Sequence, residues 1–208
     1  MVSRGRLYVI AAPSGAGKTS LVAKLLERKP GLKLSISHTT RKQRPTEQEG
    51  REYYFVKVPE FLDLEKKGAF LEHARVFDNY YATGRETVER FLNAGADVIL
   101  EIDWQGAQQV RKAMPDAQTV FILPPSRDSL EERLRSRNTD SEEVIQRRLR
   151  DGVHDMSHWK DFDYVVVNDD FERAVSDLVA IVERRGDHLR GDRADLQALL
   201  ARLLGASP

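Results

Sequence analysis

No cysteine occurs anywhere in the 208-residue chain. That absence excludes disulfides, thiol nucleophiles and thiolate metal sites, and it matches a reducing compartment. An excess of either charge is missing too: 33 Lys and Arg residues balance 33 Asp and Glu residues, for a formal net charge of 0. No global field therefore gathers nucleic acid or an anionic membrane, and any anion site must be a local cluster. Long apolar runs are also lacking. Met1 to Arg6 leads into six apolar residues, Leu7 to Ala12, too few for a signal peptide or a membrane span. These absences predict a cytoplasmic chain that binds neither nucleic acid nor membrane. There is no internal repeat and no low-complexity linker.

What is there is ordinary globular material, 40% hydrophobic and 32% charged, enough for one domain with excursions. Leu7 to Ala12 suits a strand buried on both faces. Lys18 to Arg28 carries Leu21, Val22, Leu25 and Leu26 at helical spacing until Pro30-Gly31 stops it. Asp97 to Asp103, Thr119 to Leu123 and Tyr164 to Val167 are further buried-strand candidates, and their alternation with helical stretches predicts an α/β chain with a parallel sheet flanked by helices. Lys33 to Thr83 is richer in polar and aromatic residues and reads as an insert, in which the alternation from Tyr53 to Val58 predicts an antiparallel strand. Asp128 to Asp155 is a second, highly charged insert. Thr139 followed by Glu142 has the pattern of a capping box that restarts a helix there. Asp170 to Leu204 predicts two amphipathic helices broken near Gly186 to Gly191.

Ala12-Pro13-Ser14-Gly15-Ala16-Gly17-Lys18-Thr19 matches the phosphate-loop pattern except at its first position, where alanine replaces glycine. Gly15 and Gly17 let backbone N–H groups turn around a polyphosphate, the following helix aims its positive end there, and Lys18 adds a full charge. Alanine is tolerable at position 12 if that residue keeps a negative φ. Thr19 places a hydroxyl where Mg²⁺ accompanies a triphosphate. Asp103 ends a strand and Glu101 lies on the same face two residues earlier. Either carboxylate suits the metal or the acceptor, and a solvated strand end is the alternative for each.

The acceptor side is written in the insert. Ser37 to Pro45 places Arg41 and Arg44 beside hydroxyl residues, and Tyr53 and Tyr81 add phenols; arginine forks and phenol donors suit a phosphate monoester. Taken singly, the tyrosines also fit core aromatics and Glu72 a surface charge. In order along the chain, Ser-x-Ser-x-Thr-Thr-Arg-x-x-Arg, Glu-Tyr-x-Phe, Phe-Leu-Glu-His, Asn-Tyr-Tyr-x-Thr and Leu-Glu-Ile-Asp-x-Gln-Gly, together with the phosphate loop, resemble the guanylate kinase family from about Leu7 to Asp169.

The resemblance implies a P-loop kinase fold with an inserted nucleoside-monophosphate-binding subdomain and a helical lid. It divides a single domain, 1–208, into core segments at about 1–34, 84–126 and 156–208, a GMP-binding insert at about 35–83 and a lid at about 127–155. It implies transfer of the ATP γ-phosphoryl group to GMP, in purine nucleotide metabolism, with ATP, GMP and dGMP as small-molecule partners and Mg²⁺ as cofactor, in a monomer or homodimer. Arg41, Arg44, Tyr53 and Tyr81 are implied to hold the GMP phosphate, while Ser37, Glu72 and Thr83 read guanine and Asp103 stands beside them. Base chemistry supplies an independent rationale. Guanine offers two donors, N1–H and N2–H₂, to a carboxylate, and O6 to a hydroxyl, whereas adenine leaves these groups mismatched.

Of the arginines in the second insert, the resemblance singles out Arg133, Arg137 and Arg148 as lid residues closing over ATP; a charged helix face with surface pairs is the alternative. The family has glycine where this chain has Asn138, and asparagine also tolerates positive φ. Asn168, after the last strand, is implied to touch adenine, with a helix cap as the equal alternative. Three rivals stand beside the kinase. A phosphopeptide-binding module of the same lineage is opposed by the intact Gly17-Lys18-Thr19, a sugar-phosphate kinase leaves Glu72 without purpose, and a GTPase switch lacks its Asn-Lys-x-Asp motif.

Overall fold

A computed structural model describes residues 3–76, 78–136 and 141–205. Along the chain lie β1 (Leu7–Ala11), α1 (Lys18–Arg28), β2 (Lys33–Leu34), β3 (Ser37–Thr39), β4 (Tyr53–Phe55), α2 (Val58–Lys66), β5 (Phe70–Val76), β6 (Asn79–Gly84) and α3 (Arg85–Asn93). Then follow β7 (Val98–Glu101), α4 (Trp104–Ala113), β8 (Gln118–Leu123), α5 (Arg127–Arg135), α6 (Glu142–Ser157), β9 (Tyr164–Val167), α7 (Phe171–Val182) and α8 (Leu196–Leu204). Among the described residues no helix is long and apolar enough to cross a membrane.

The fold is α/β, with a five-stranded sheet of order β2-β7-β1-β8-β9 and a four-stranded sheet of order β4-β3-β6-β5. In the first, β2 runs parallel to β7 and β8 parallel to β9. Its central strand positions are apolar, as expected of parallel sheets covered on both faces; Val9, Ile99, Phe121 and Val165 are all fully buried. The chain divides into two compact units, Met1–Tyr8 with Gly31–Ala117, and Val9–Pro30 with Gln118–Pro208.

In the Gly31–Ala117 unit the second sheet has two chemically distinct faces. Ser37 stands opposite both Tyr53 and Thr83, and Thr83 opposite Glu72. Laterally paired residues share a face, so Tyr53, Ser37, Thr83 and Glu72 form one row, with Phe55, Thr39 and Tyr81 in the next. The opposite face carries an apolar cluster built on Phe61, Phe70 and Ala82 with Tyr80 packed against them. Phe70 and Glu72 are two residues apart yet serve opposite faces, because the register shifts between them. One extra residue, Leu71, produces this bulge in β5.

Several expected boundaries move. The Tyr53–Val58 strand ends at Phe55, since Pro59 opens α2 at a position where its missing N–H costs nothing. It also pairs parallel with β3, not antiparallel; the 40–52 connection is long enough for a crossover instead of a hairpin. Helix α6 is capped by Ser141, whose Oγ accepts from Val144 N at 3.4 Å; Thr139, the expected cap, lies outside the described residues. Strand β2, only two residues long, escaped detection because so short a run carries no periodic signal. The two tail helices are present, with a wider break between them.

Candidate nucleotide-binding sites

In the unit containing Val9–Pro30, β1 delivers the chain into the 12–17 loop. Gly15 and Gly17 have φ of 92° and 94°, a left-handed conformation that side chains rarely tolerate. Gly17 is the N-cap of α1 yet supplies no side-chain cap, and the first turn holds no acidic residue. The first turn of α1 therefore places no carboxylate of its own at the positive end of the helix, which suits it to receive phosphate. Ala12 meets its condition: among the described non-glycine residues only Arg184 has positive φ. Lys18 opens the helix, half-buried, and Thr19 follows it, exposed to solvent.

Among the described residues no group of three or more His, Asp or Glu stands together to hold a metal. Thr19, directly after Lys18, carries a hydroxyl of the kind that ligates Mg²⁺. One hydroxyl, completed by phosphate oxygens and waters, suits Mg²⁺, which sheds water reluctantly and is held mainly through substrate phosphates. The residues present fit an ion that arrives with the nucleotide.

The lid arginines separate. Arg133, on α5, donates from Nη1 to the Ala16 carbonyl at 3.3 Å and from Nη2 to the Asn168 carbonyl at 3.0 Å. Arg148 lies half-buried on α6, and Arg137 and Asn138 lie outside the described residues. Asn168 is not a helix cap. Asp170 caps α7 by accepting from Arg173 N at 2.8 Å, because it directly precedes the first helical residue whereas Asn168 stands too far back.

In the other unit, the polar face of the second sheet gathers Ser37, Tyr53, Glu72, Tyr81 and Thr83. Glu72 is 4% exposed and its Oε1 accepts from Thr83 Oγ1 at 2.6 Å. The rings of Tyr53 and Tyr81 meet edge to face at 5.9 Å. Burial, then Tyr81 and Glu101, push the Tyr53 phenol above its usual range, so it stays a proton donor for an anionic ligand. Arg41 lies 5.4 Å from the Tyr53 ring centroid. Glu47 grips it with both oxygens, at 2.7 Å to Nη2 and 3.1 Å to Nη1, a fork-to-fork geometry that fixes the guanidinium plane. Glu47 also accepts from Arg44 N at 2.8 Å, leaving the Arg44 side chain exposed. The Arg41 fork, then the Arg44 N–H, hold the Glu47 carboxyl below its usual range.

Asp103 caps α4, accepting from Gly106 N at 2.7 Å, so one of its oxygens serves the fold. Glu101 ends β7, half-buried. Gly106 was missed as a site residue although it closes the Leu-Glu-Ile-Asp-x-Gln-Gly motif. A Cβ there would stand 2.8 Å from Glu72 Oε2, so its missing side chain makes room for the buried carboxylate. Glu47 was missed as well, and no local spacing marks it: its partnership with Arg41 arises from the turn between them.

Comparison with known proteins agrees with these features. The guanylate kinase family model matches residues 4–185. The guanylate kinase of Methylococcus capsulatus is 53% identical over 98% of this chain and 100% of its own length. That of Chromohalobacter salexigens is 52% identical over 97% of this chain and 94% of its own. The crystal structure of guanylate kinase from Anaplasma phagocytophilum, 34% identical, superposes with a TM-score of 0.70 over 96% of this chain and 95% of that one. With a phosphate loop in one unit and a buried carboxylate-hydroxyl pair flanked by arginine and phenols in the other, the chain belongs to the guanylate kinase family.

Proposed function

We propose that this protein catalyses ATP + GMP → ADP + GDP in the cytoplasm. The observation that carries the reading is the lateral row Tyr53, Ser37, Thr83 and Glu72, which puts a phenol O–H donor, two hydroxyls and a buried carboxylate on one sheet face. The carboxylate of Glu72 accepts from guanine N1–H and N2–H₂ and the Ser37 hydroxyl donates to O6, while Thr83, whose proton goes to Glu72 Oε1, serves the reading by holding that carboxylate. AMP presents the opposite polarity at those atoms and leaves buried groups unpaired. Arg41, Arg44, Tyr53 and Tyr81 hold the monophosphate.

The 12–19 loop and Lys18 hold the triphosphate. Thr19 would hold Mg²⁺, with Glu101 or Asp103 acting through water, and the ion when bound neutralises charge on the phosphate oxygens. A GMP phosphate oxygen is already anionic, so no general base is needed. It forms a bond to the γ-phosphorus as the bond to the bridging β,γ-oxygen breaks, and ADP leaves with that electron pair. Lid arginines 133, 137 and 148 stabilise the charge spread in transfer, and a covered site excludes water as a competing acceptor. We assign the acceptor insert to about 35–83 and the lid to about 127–155.

Coupled turnover with ATP, Mg²⁺ and each of GMP, dGMP, AMP, CMP and UMP tests the reading. GMP and dGMP are the expected acceptors, AMP is weaker by at least about 10²-fold, and no turnover with GMP overturns it.

A further inference from the structure

Asn168 is only 4% exposed and directly follows β9. Its backbone is fixed by a hydrogen bond from its N–H to the Leu123 carbonyl at 2.8 Å. Its amide Nδ2 donates to the Ala16 carbonyl at 2.7 Å. The same carbonyl accepts from Arg133 Nη1 at 3.3 Å, while Arg133 Nη2 reaches the Asn168 carbonyl at 3.0 Å. The contacts close a triangle of Ala16, Asn168 and Arg133, two of whose three sides end on one peptide of the phosphate loop.

That peptide joins Ala16 to Gly17. In a trans peptide the C=O and the following N–H point in opposite directions, and no cis bond occurs among the described residues. Drawing the Ala16 carbonyl toward Asn168 therefore turns the Gly17 N–H away from Asn168. That N–H begins α1, where unsatisfied donors meet an anion. Gly17 itself is constrained twice: its φ is 94°, and a Cβ would stand 2.5 Å from Asn168 Nδ2. The side chain that fixes the loop is the one that leaves no room for another residue at its hinge.

We infer that Asn168 is a positioning residue for the triphosphate chain, acting through the Ala16–Gly17 peptide with Arg133 as its brace. The inference rests on the phosphate-loop reading given above. It predicts that Asn168 matters equally for every ligand carrying a triphosphate, whatever is attached to it.

The experiment is calorimetric titration of the full chain, wild type and Asn168→Ala, separately by ATP, by inorganic tripolyphosphate and by GMP, with only one of these ligands present at a time so that no transfer occurs. The expected result is a loss of about tenfold for ATP and tripolyphosphate, the scale of one buried hydrogen bond left unmade, with unchanged GMP affinity. Loss of ATP affinity with tripolyphosphate affinity intact makes Asn168 a reader of adenine and overturns the inference. Equal losses for GMP indicate a general structural defect and overturn it too. Wild type that binds neither triphosphate fails the underlying loop reading instead. Asn168→Leu keeps the buried volume while removing the donor, and carries the same test if the alanine variant melts below the assay temperature.

Discussion

Thr83 donates its hydroxyl proton to Glu72 Oε1 at 2.6 Å across the paired strands β5 and β6. The bond fixes both members of the pair proposed to recognise guanine before a base arrives: the carboxylate cannot rotate freely, and the hydroxyl proton is directed. Pre-organisation of this kind leaves the mismatched base facing groups that cannot re-orient to suit it. Glu72→Gln replaces one acceptor oxygen by an NH₂ donor that confronts guanine donors. The expected outcome is a fall of about 10²-fold or more in kcat/KM for GMP, with the ATP KM nearly unchanged and the GMP-to-AMP ratio collapsing. Unchanged base preference in steady-state kinetics would remove Glu72 from the role.

Gly106→Ala separates site from fold. An added Cβ meets Glu72 Oε2 at 2.8 Å, the far end of a flexible side chain, so the protein accommodates it by displacing the carboxylate. Alanine is favoured over glycine in a helix by about 1 kcal/mol, and residue 106 lies in the first turn of α4. The expected variant melts at or near the wild-type temperature while its GMP KM rises several-fold, measured by calorimetry and coupled assay on one preparation.

Glu47 opposes two effects in Arg41. Removing its charge strengthens the local positive field for phosphate, but it also releases a guanidinium held by two hydrogen bonds. Ordering a long side chain costs about 2 kcal/mol of rotamer freedom, and the fork that orders it is well shielded, its two side chains only 18% and 11% exposed. Positioning therefore wins. Glu47→Gln is expected to raise the GMP KM about three- to tenfold with little change in the ATP KM; a lowered GMP KM would show that the field dominates.

Arg135 and Glu142 form a fork-to-fork pair joining the end of α5 to the start of α6, with 2.7 Å between Nη2 and Oε1. Hydrogen bonds from Arg135, then Gln146, depress the Glu142 carboxyl from 4.5 to about 2. A folded-state pKa below the unfolded value stabilises the fold above the unfolded value, and that stabilisation fades as pH falls through the folded one. The contribution is thus complete above about 4.5 and disappears toward about 2. Thermal melts of wild type and Arg135→Gln as a function of pH should converge on acidification. The gap near neutrality is small because the pair is exposed.

Much of the fold was legible wherever a local pattern has a single physical reading. Helix α1 begins at Lys18 and ends at Arg28 as its leucine spacing and the following Pro30-Gly31 require, and the glycines of the loop carry the positive φ their positions imply. Pairing was less legible, because strand partners are set by distant residues. Alternation from Tyr53 marked a strand but could not state that it lies parallel to β3. The residues proposed for the acceptor stand out as an ordered motif set, whereas Glu47 and the loop-facing amide of Asn168 do not, since their partners come from a turn and from a segment 152 positions away.

The bulge at Leu71 makes β5 a strand whose phase matters more than its composition. Phe70, before the extra position, addresses the apolar cluster and Glu72, after it, the face proposed to meet guanine, so Leu71 acts as a frame-setting insertion that separates two codes written in one strand. Conservative replacement of Leu71 leaves both codes in phase. Deleting that one residue would carry Phe70 to the side where Glu72 now meets Thr83, or Glu72 to the side where Phe70 meets Phe61. Either choice exchanges a charge and an aromatic ring between a binding surface and an apolar core.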